Sequence, residues 1–367
     1  MSEEYMESND FEDAEVELFI MEDGPQKMEA LSNYIRRADE QGDTFYSLYF
    51  RFRYAAQATF HDDPTKAITA ASEFASIFEQ HREQMEKRKG MVEAYMGITE
   101  MGIEPIVNLP QISRAQWEKM MDGYLALVNR YHLGTRSYWW QMGQFYIYID
   151  KDRAFSCFEK FWNAERDAVS DCSACECSNA VYMYLMHGDR AAADNYREEL
   201  LAGKYETCSV AEPKMHLYYL QDALRHGNLK EAAVEADHIR DFAKENKSHL
   251  EFLSGVLQCY AYTKPEAAVK LVEEYLEWGM KIFQIKWKYD FYKAAYVTFH
   301  ELMGSQKTVK LKLPEQIPFW NEKGEYHTEE LAEYFYGQAQ GLAKRFDARN
   351  GSDYFLRDLS DTKSVMY

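Results

Sequence analysis

Gly188-Asp189-Arg190-Ala191-Ala192-Ala193-Asp194-Asn195-Tyr196-Arg197-Glu198-Glu199-Leu200-Leu201 is the stretch that decides the fold class. Gly188 can end one helix in the left-handed conformation that other side chains resist, and Asp189 can cap the next by accepting from its first turn. Ala193, Tyr196, Leu200 and Leu201 then follow at helical spacing and form one apolar face. The small alanines let such a helix lie close against its predecessor. The stretch reads as the turn and second helix of a helical hairpin.

The same grammar recurs in Asp150-Lys151-Asp152-Arg153-Ala154, Gly227-Asn228-Leu229-Lys230-Glu231-Ala232 and Thr263-Lys264-Pro265-Glu266-Ala267. With residues 150, 188, 227 and 263 as markers, the spacings are about 38, 39 and 36, close to the helix–turn–helix period of tetratricopeptide repeats, about 34. Ala38-Asp39-Glu40-Gln41-Gly42-Asp43 repeats the pattern upstream. Helix pairs are expected at roughly 25–60, 64–102, 113–164, 172–203, 210–244, 249–280 and 283–303, with a loop over Ile103–Gln111. Beyond Gly304, Lys307-Thr308-Val309-Lys310-Leu311-Lys312-Leu313-Pro314 alternates polar and apolar residues and predicts one short strand or extended crossing. A closing helix is expected from Thr328, read as its N-cap, to Asn350-Gly351. The tail is either frayed or docked by Tyr354, Phe355 and Leu356.

The expected fold is therefore all-α: a right-handed α-solenoid of degenerate tetratricopeptide-like helix pairs, with a short extended element and closing helix at the C-terminus. Its divisions are an acidic N-terminal segment (1–22), a helical-repeat solenoid (23–303) and a C-terminal extended segment, closing helix and tail (304–367).

Composition narrows the function. The 367 residues hold Lys+Arg 42 against Asp+Glu 61, a net charge of -19. Phosphate backbones need the opposite surplus, so nucleic acid is not an expected direct partner, and anionic membrane surfaces are disfavoured as well. No apolar run approaches the ~18 residues of a span. Acidic Glu3, Glu4, Glu7, Asp10, Glu12 and Asp13 do not make the basic start of a secretory signal. Six cysteines are too sparse for a disulfide scaffold and suit a reducing, cytoplasmic setting.

Arg166-Asp167-Ala168-Val169-Ser170-Asp171-Cys172-Ser173-Ala174-Cys175, then Leu201-Ala202-Gly203, Cys208 and Pro213, form an ordered set of short motifs. Ile112-Ser113-Arg114, His249-Leu250-Glu251-Phe252-Leu253 and Phe346-Asp347-Ala348-Arg349-Asn350-Gly351-Ser352 extend it across about residues 23–352. The set resembles a bacterial family of tetratricopeptide-like helical-repeat proteins with no assigned activity. Members of that family often carry Pro-His where this chain has Pro213-Lys214. The resemblance implies the fold and no particular chemistry.

Three clusters of residues could carry function. Cys172 and Cys175, three apart at a helix start, share a face, whereas Cys177 points elsewhere. If the turns are equivalent, Cys172 and Cys208 enter consecutive first helices on one edge. The three thiols could then converge, with His216 or Asp171, on a structural zinc; packing in a tight seam is the alternative. No cofactor is otherwise required. Aligning the turns also predicts a concave groove lined by Arg136, Trp139, Trp140, Tyr146, Tyr182, Lys214, Gln221 and Arg225, residue types that anchor partners, with at least one of the adjacent tryptophans in the core. His187 and His226, just before turn glycines, would bond the last helix carbonyls. There is no Gly-rich phosphate loop and no Gly-x-Ser-x-Gly elbow.

The expected function is non-catalytic binding of a protein or peptide segment by a cytoplasmic scaffold, regulator or antagonist. The acidic balance suggests a basic partner. The alternative is a thiol- or metal-dependent enzyme or redox sensor built on Cys172, Cys175 and Cys208.

Overall fold

The structure, a computed structural model, describes residues 4–206, 208–245 and 250–364; Glu3 and His249, used above, lie outside them. The all-α class holds. Among the described residues the one sheet is a two-stranded ribbon, and helix dominates the remainder. The chain divides into two compact units. The first comprises residues up to Val107, Ala115–Gln141 and Phe161–Ser170; the second comprises Asn108–Arg114, Met142–Lys160 and the chain from Asp171 onward.

The first unit carries α1 (Glu4–Ile20), α2 (Pro25–Gln41), α3 (Thr44–His61), α4 (Thr65–Gln80), the single turn α5 (Arg82–Met85), α6 (Met91–Ile103) and most of α7 (Arg114–Tyr131). Helices α8 (Thr135–Tyr146) and α9 (Lys151–Asn163) contribute residues to both units. The acidic N-terminal segment is itself a helix. Phe11, Ala14 and Leu18, spaced three and four apart, bury one face against Leu31 and Ala38 of α2 and Phe50 of α3. Gly42 adopts the left-handed conformation after α2, and Asp43 caps α3 by accepting from the Tyr46 amide. Arg51 ties three helices together: its guanidinium donates to both carboxylate oxygens of Asp39 on α2, at 2.9 and 2.8 Å, and to Glu73 on α4 at 3.0 Å. The span 113–164, expected as one pair, holds three helices. His132 and Gly134 both take positive φ and break the chain between α7 and α8, and the Asp150 carboxylate caps α9. The expected loop at 103–111 contains a 3₁₀ turn, Glu104–Asn108.

The second unit carries α10 (Ser173–His187), α11 (Arg190–Leu201), α12 (Ala211–Arg225), α13 (Leu229–Glu245), α14 (Leu250–Thr263), α15 (Pro265–Lys281) and α16 (Ile285–Met303). Packing alternates. Helices α10, α12 and α14 each contact the helix that follows in sequence and also the next even-numbered helix, so α10, α12, α14 and α16 form a contiguous row. The turns follow the expected grammar: Gly188 and Gly227 are left-handed, Asp189 accepts from Ala192, and Asn228 accepts from Glu231. Beyond α16, the predicted lone strand has a partner. β1 (Thr308–Lys310) pairs antiparallel with β2 (Glu325–His327), Val309 opposite Tyr326, and those two central side chains are the buried ones. Thr328 is the first residue of α17 (Thr328–Asn350) and not its cap; its hydroxyl donates instead to Gln306 and Lys307 carbonyls. Gly351 ends that helix at φ 66°. The tail is docked as α18 (Tyr354–Ser364), with Phe355 and Leu359 buried in the common core and Asp347 accepting from the Phe355 and Leu356 amides.

Candidate functional site

Two assemblies in the second unit place reactive or polar side chains together. The first is the set of thiols. Cys172 precedes α10 in extended conformation, and its sulfur accepts from the Cys175 amide at 3.3 Å, so it serves as the helix cap. Cys208 lies just ahead of α12. One turn into α10, Cys175 reaches Cys208 with 3.4 Å between sulfurs, and all three sulfurs lie within 4.8 Å of one another. Adjacent helix starts therefore bring the three together, as the turn alignment predicted. Cys177 is turned away, its thiol 3.3 Å from the Tyr196 carbonyl and pushed up to about 11 by burial.

The electrostatics of the three differ. Burial, then the neighbouring thiols, push Cys175 far up, and burial pushes Cys172 up. Burial opposes ionisation of Cys208 as well, but hydrogen bonds to its sulfur from the Val210 and Ala211 amides and from the other two thiols hold it below its ordinary value. Of the three, Cys208 is the sulfur whose ionisation its surroundings favour. The donor set also fits a metal: sulfurs bound tetrahedrally at ~2.3 Å sit about 3.8 Å apart, close to the separations here. The expected fourth ligands do not join. Nδ1 of His216 is 2.6 Å from Oε2 of Glu235, its ring stacks on His238 at 4.3 Å, and Asp171 is not part of the group.

The second assembly is a chamber of about 630 Å³ on the inner faces of α10, α12, α14 and α16. Tyr182 comes from α10, Gln221 and Arg225 from α12, Ser254 and Gln258 from α14, and Lys286, Asp290 and Lys293 from α16. Tyr148, Lys151 and α18 complete the wall. The Tyr148 and Tyr182 hydroxyls are 3.5 Å apart, and Tyr148 packs on Tyr354 and Phe355 of α18. Lys286 pairs with Asp290 at 2.6 Å; Lys293 pairs with Asp358 at 2.9 Å, and the Tyr289 hydroxyl also donates to Asp358.

Of the eight residues read from sequence as a groove, Tyr182, Gln221 and Arg225 line this chamber. The others do not meet there. Arg136 is buried in the first unit, 6% exposed, and donates to the carbonyls of Phe161, Trp162 and Ala164 at 3.0, 3.1 and 2.6 Å. It binds the end of α9 and lies over the Phe161 and Trp162 rings. Trp140 is also core, packed on Phe161; Trp139 is half-buried, edge-on to Tyr138. Tyr146 is buried between the Arg114 and Arg153 guanidinia. Lys214 is half-buried, close enough to Cys175 to act on its charge. His226 bonds the Asp222 carbonyl at 2.9 Å as expected, whereas His187 stacks on Phe155 at 3.9 Å.

Sequence reading missed Lys151, Lys286, Lys293 and Arg357. Helical spacing could have found the α16 pair, since positions 286 and 293 lie seven apart on one face. No helix among the described residues is long and apolar enough to cross a membrane. No family model, curated protein or solved structure matches the chain.

Proposed function

We propose that this protein is a non-catalytic, cytoplasmic binding module of the right-handed, tetratricopeptide-like solenoid type, and that a protein or peptide segment is held in the chamber of its second unit. The observation that carries this is the chamber itself. Four successive even-numbered helices present Tyr182, Gln221, Arg225, Gln258 and Lys286 to one concavity, the arrangement by which stacked helix pairs read an extended ligand. Its volume lies within the ~300–1,000 Å³ of ordinary ligand sites. The regular contacts among α10, α12, α14 and α16 support the repeat reading, as does the sequence resemblance.

The test is native mass spectrometry of the protein purified from its own cells, beside a Gln221→Trp variant that fills the chamber. A peptide-sized adduct on the wild type that is missing from the variant is the expected result. No adduct, or an equal adduct on both, would sink the reading.

A second reading rests on the three sulfurs. We propose that Cys172, Cys175 and Cys208 hold a structural zinc that staples α10 to α12; among the described residues no His, Asp or Glu side chain joins the three. Such a metal contributes to folding, because its ligands are gathered only in the folded chain.

A further inference from the structure

We propose that the chamber recognises an oxyanion, a carboxylate or phosphate group on the ligand, through Lys151, Arg225 and Arg357. This rests on reading the chamber as a ligand site and adds the sign of the ligand's charge. The whole chain is strongly acidic, yet the chamber is lined by five basic side chains against four carboxylates, Glu251, Asp290, Asp358 and Asp361. Two of the bases are neutralised locally, Lys286 by Asp290 and Lys293 by Asp358. The other three stand differently. Among the described residues, Lys151 and Arg225 have neither a carboxylate within ion-pair distance nor a side-chain hydrogen bond. Arg357 has only a 3.7 Å pair with Asp353 in which both side chains are more than half exposed, a contact of little strength.

Two of these cations act on the third. Burial is the larger reason that the Lys151 ammonium is held below its ordinary value, and the positive charges of Arg225 and Arg357 are the others. A protein with 61 acidic residues has placed at one concavity two cations without a close ion pair and a weakly paired third; burial opposes the Arg225 charge, and Tyr354, Tyr182 and the more distant Asp358 and Asp222 outweigh it. The repulsion on Lys151 is unfavourable to folding and is relieved by a ligand that brings negative charge. Residues with hydrogen-bonding side chains line the same chamber: Gln221, one turn before Arg225 on α12, and Tyr182 and Tyr354. Two guanidinia and an ammonium suit a planar or tetrahedral oxyanion, which guanidinium forks bind bidentately. The local preference is therefore opposite to the one suggested by net charge, and an acidic segment is the better occupant.

The experiment is thermal unfolding of the full chain titrated with citrate and, separately, with inorganic phosphate, against potassium chloride at matched ionic strength. Wild type and Arg225→Gln are compared, with Lys151→Gln as a second variant. Stabilisation by either anion beyond the chloride control, weakened about tenfold or more in apparent affinity by R225Q, is expected. Citrate alone would assign a carboxylate ligand, and phosphate alone a phosphorylated one. Without anion, K151Q should melt at or above the wild-type temperature, because it removes a repelled charge. If neither anion exceeds chloride, or if K151Q melts markedly lower without anion, the cations are structural and the inference is overturned. A chamber that still loses its peptide adduct in Gln221→Trp while ignoring both anions would overturn this inference alone.

Discussion

Replacing Arg136 separates a partner-binding residue from a structural one. Its guanidinium donates to three main-chain carbonyls at 3.0, 3.1 and 2.6 Å, is 6% exposed, and lies 4.5 Å from the Phe161 ring centre. A hydrogen bond to a charged group contributes about 1.5–3 kcal/mol, and three that share one donor group are not additive. Truncation also strands carbonyls at the end of α9. Arg136→Ala should therefore cost about 3–5 kcal/mol. Arg136→Lys, which keeps the charge but loses the planar guanidinium lying over the Phe161 and Trp162 rings, should cost about half as much. The assay is urea unfolding followed by far-UV circular dichroism, with hydrogen exchange over residues 135–170 to localise the loss. Loss of protection should begin there. If Arg136→Ala costs under about 1 kcal/mol and leaves exchange in that segment unchanged, the buried cap is wrong and the residue faces solvent.

Two helix glycines should respond oppositely to alanine. Gly341, on the exposed side of α17 with open space around it, should gain up to about 1 kcal/mol, whereas at Gly279 a new methyl would meet the Phe291 ring at 2.9 Å. Overpacking of about 1–3 kcal/mol there offsets the helix gain, so G279A should unfold at lower urea than G341A; equal midpoints would contradict the packing of α15 on α16. If the thiols hold zinc, a chelator should lower the melting temperature of the wild type and leave Cys175→Ser, already lowered, unmoved. A chelator-insensitive wild type with no metal in its native mass would leave the sulfurs as packing. The Arg51 hydrogen bond, set against burial and aided by Ser47, holds Asp39 below its usual 3.8. A depressed acid stabilises fully above that value and loses its contribution as pH falls below it through the folded-state pKa. Asp39→Asn should thus be less stable than wild type at pH 6, with the gap narrowing below pH 3.8; a gap constant to pH 2 would refute the linkage.

What the sequence determined by itself was local. Turn glycines, capping Asp and Asn, and apolar residues three and four apart act within one or two turns of chain, so they located most helices and the break at each Gly-Asp or Gly-Asn. Turn equivalence placed Cys172 and Cys208 at neighbouring helix starts, because adjacent repeats convert sequence period directly into distance. The α7–α8 break went unread although Gly134 marks it: Thr135 follows that glycine where Asp189 and Asn228 follow Gly188 and Gly227, so it falls outside the repeated pattern. Register along the chain could not say which face of a long aromatic-rich helix is buried. The tertiary structure decided that Arg136, Trp140 and Tyr146 are internal, while Arg225 opens into a chamber. It also decided the fate of the tail. Docking of α18 on α16 and α17 brings Arg357 and Asp358 to residues some 65 to 200 positions earlier, Lys293 and Lys151 among them. Contacts at that separation are selected by the shape and charge of surfaces that exist only once the helices have packed, so no local pattern encodes them.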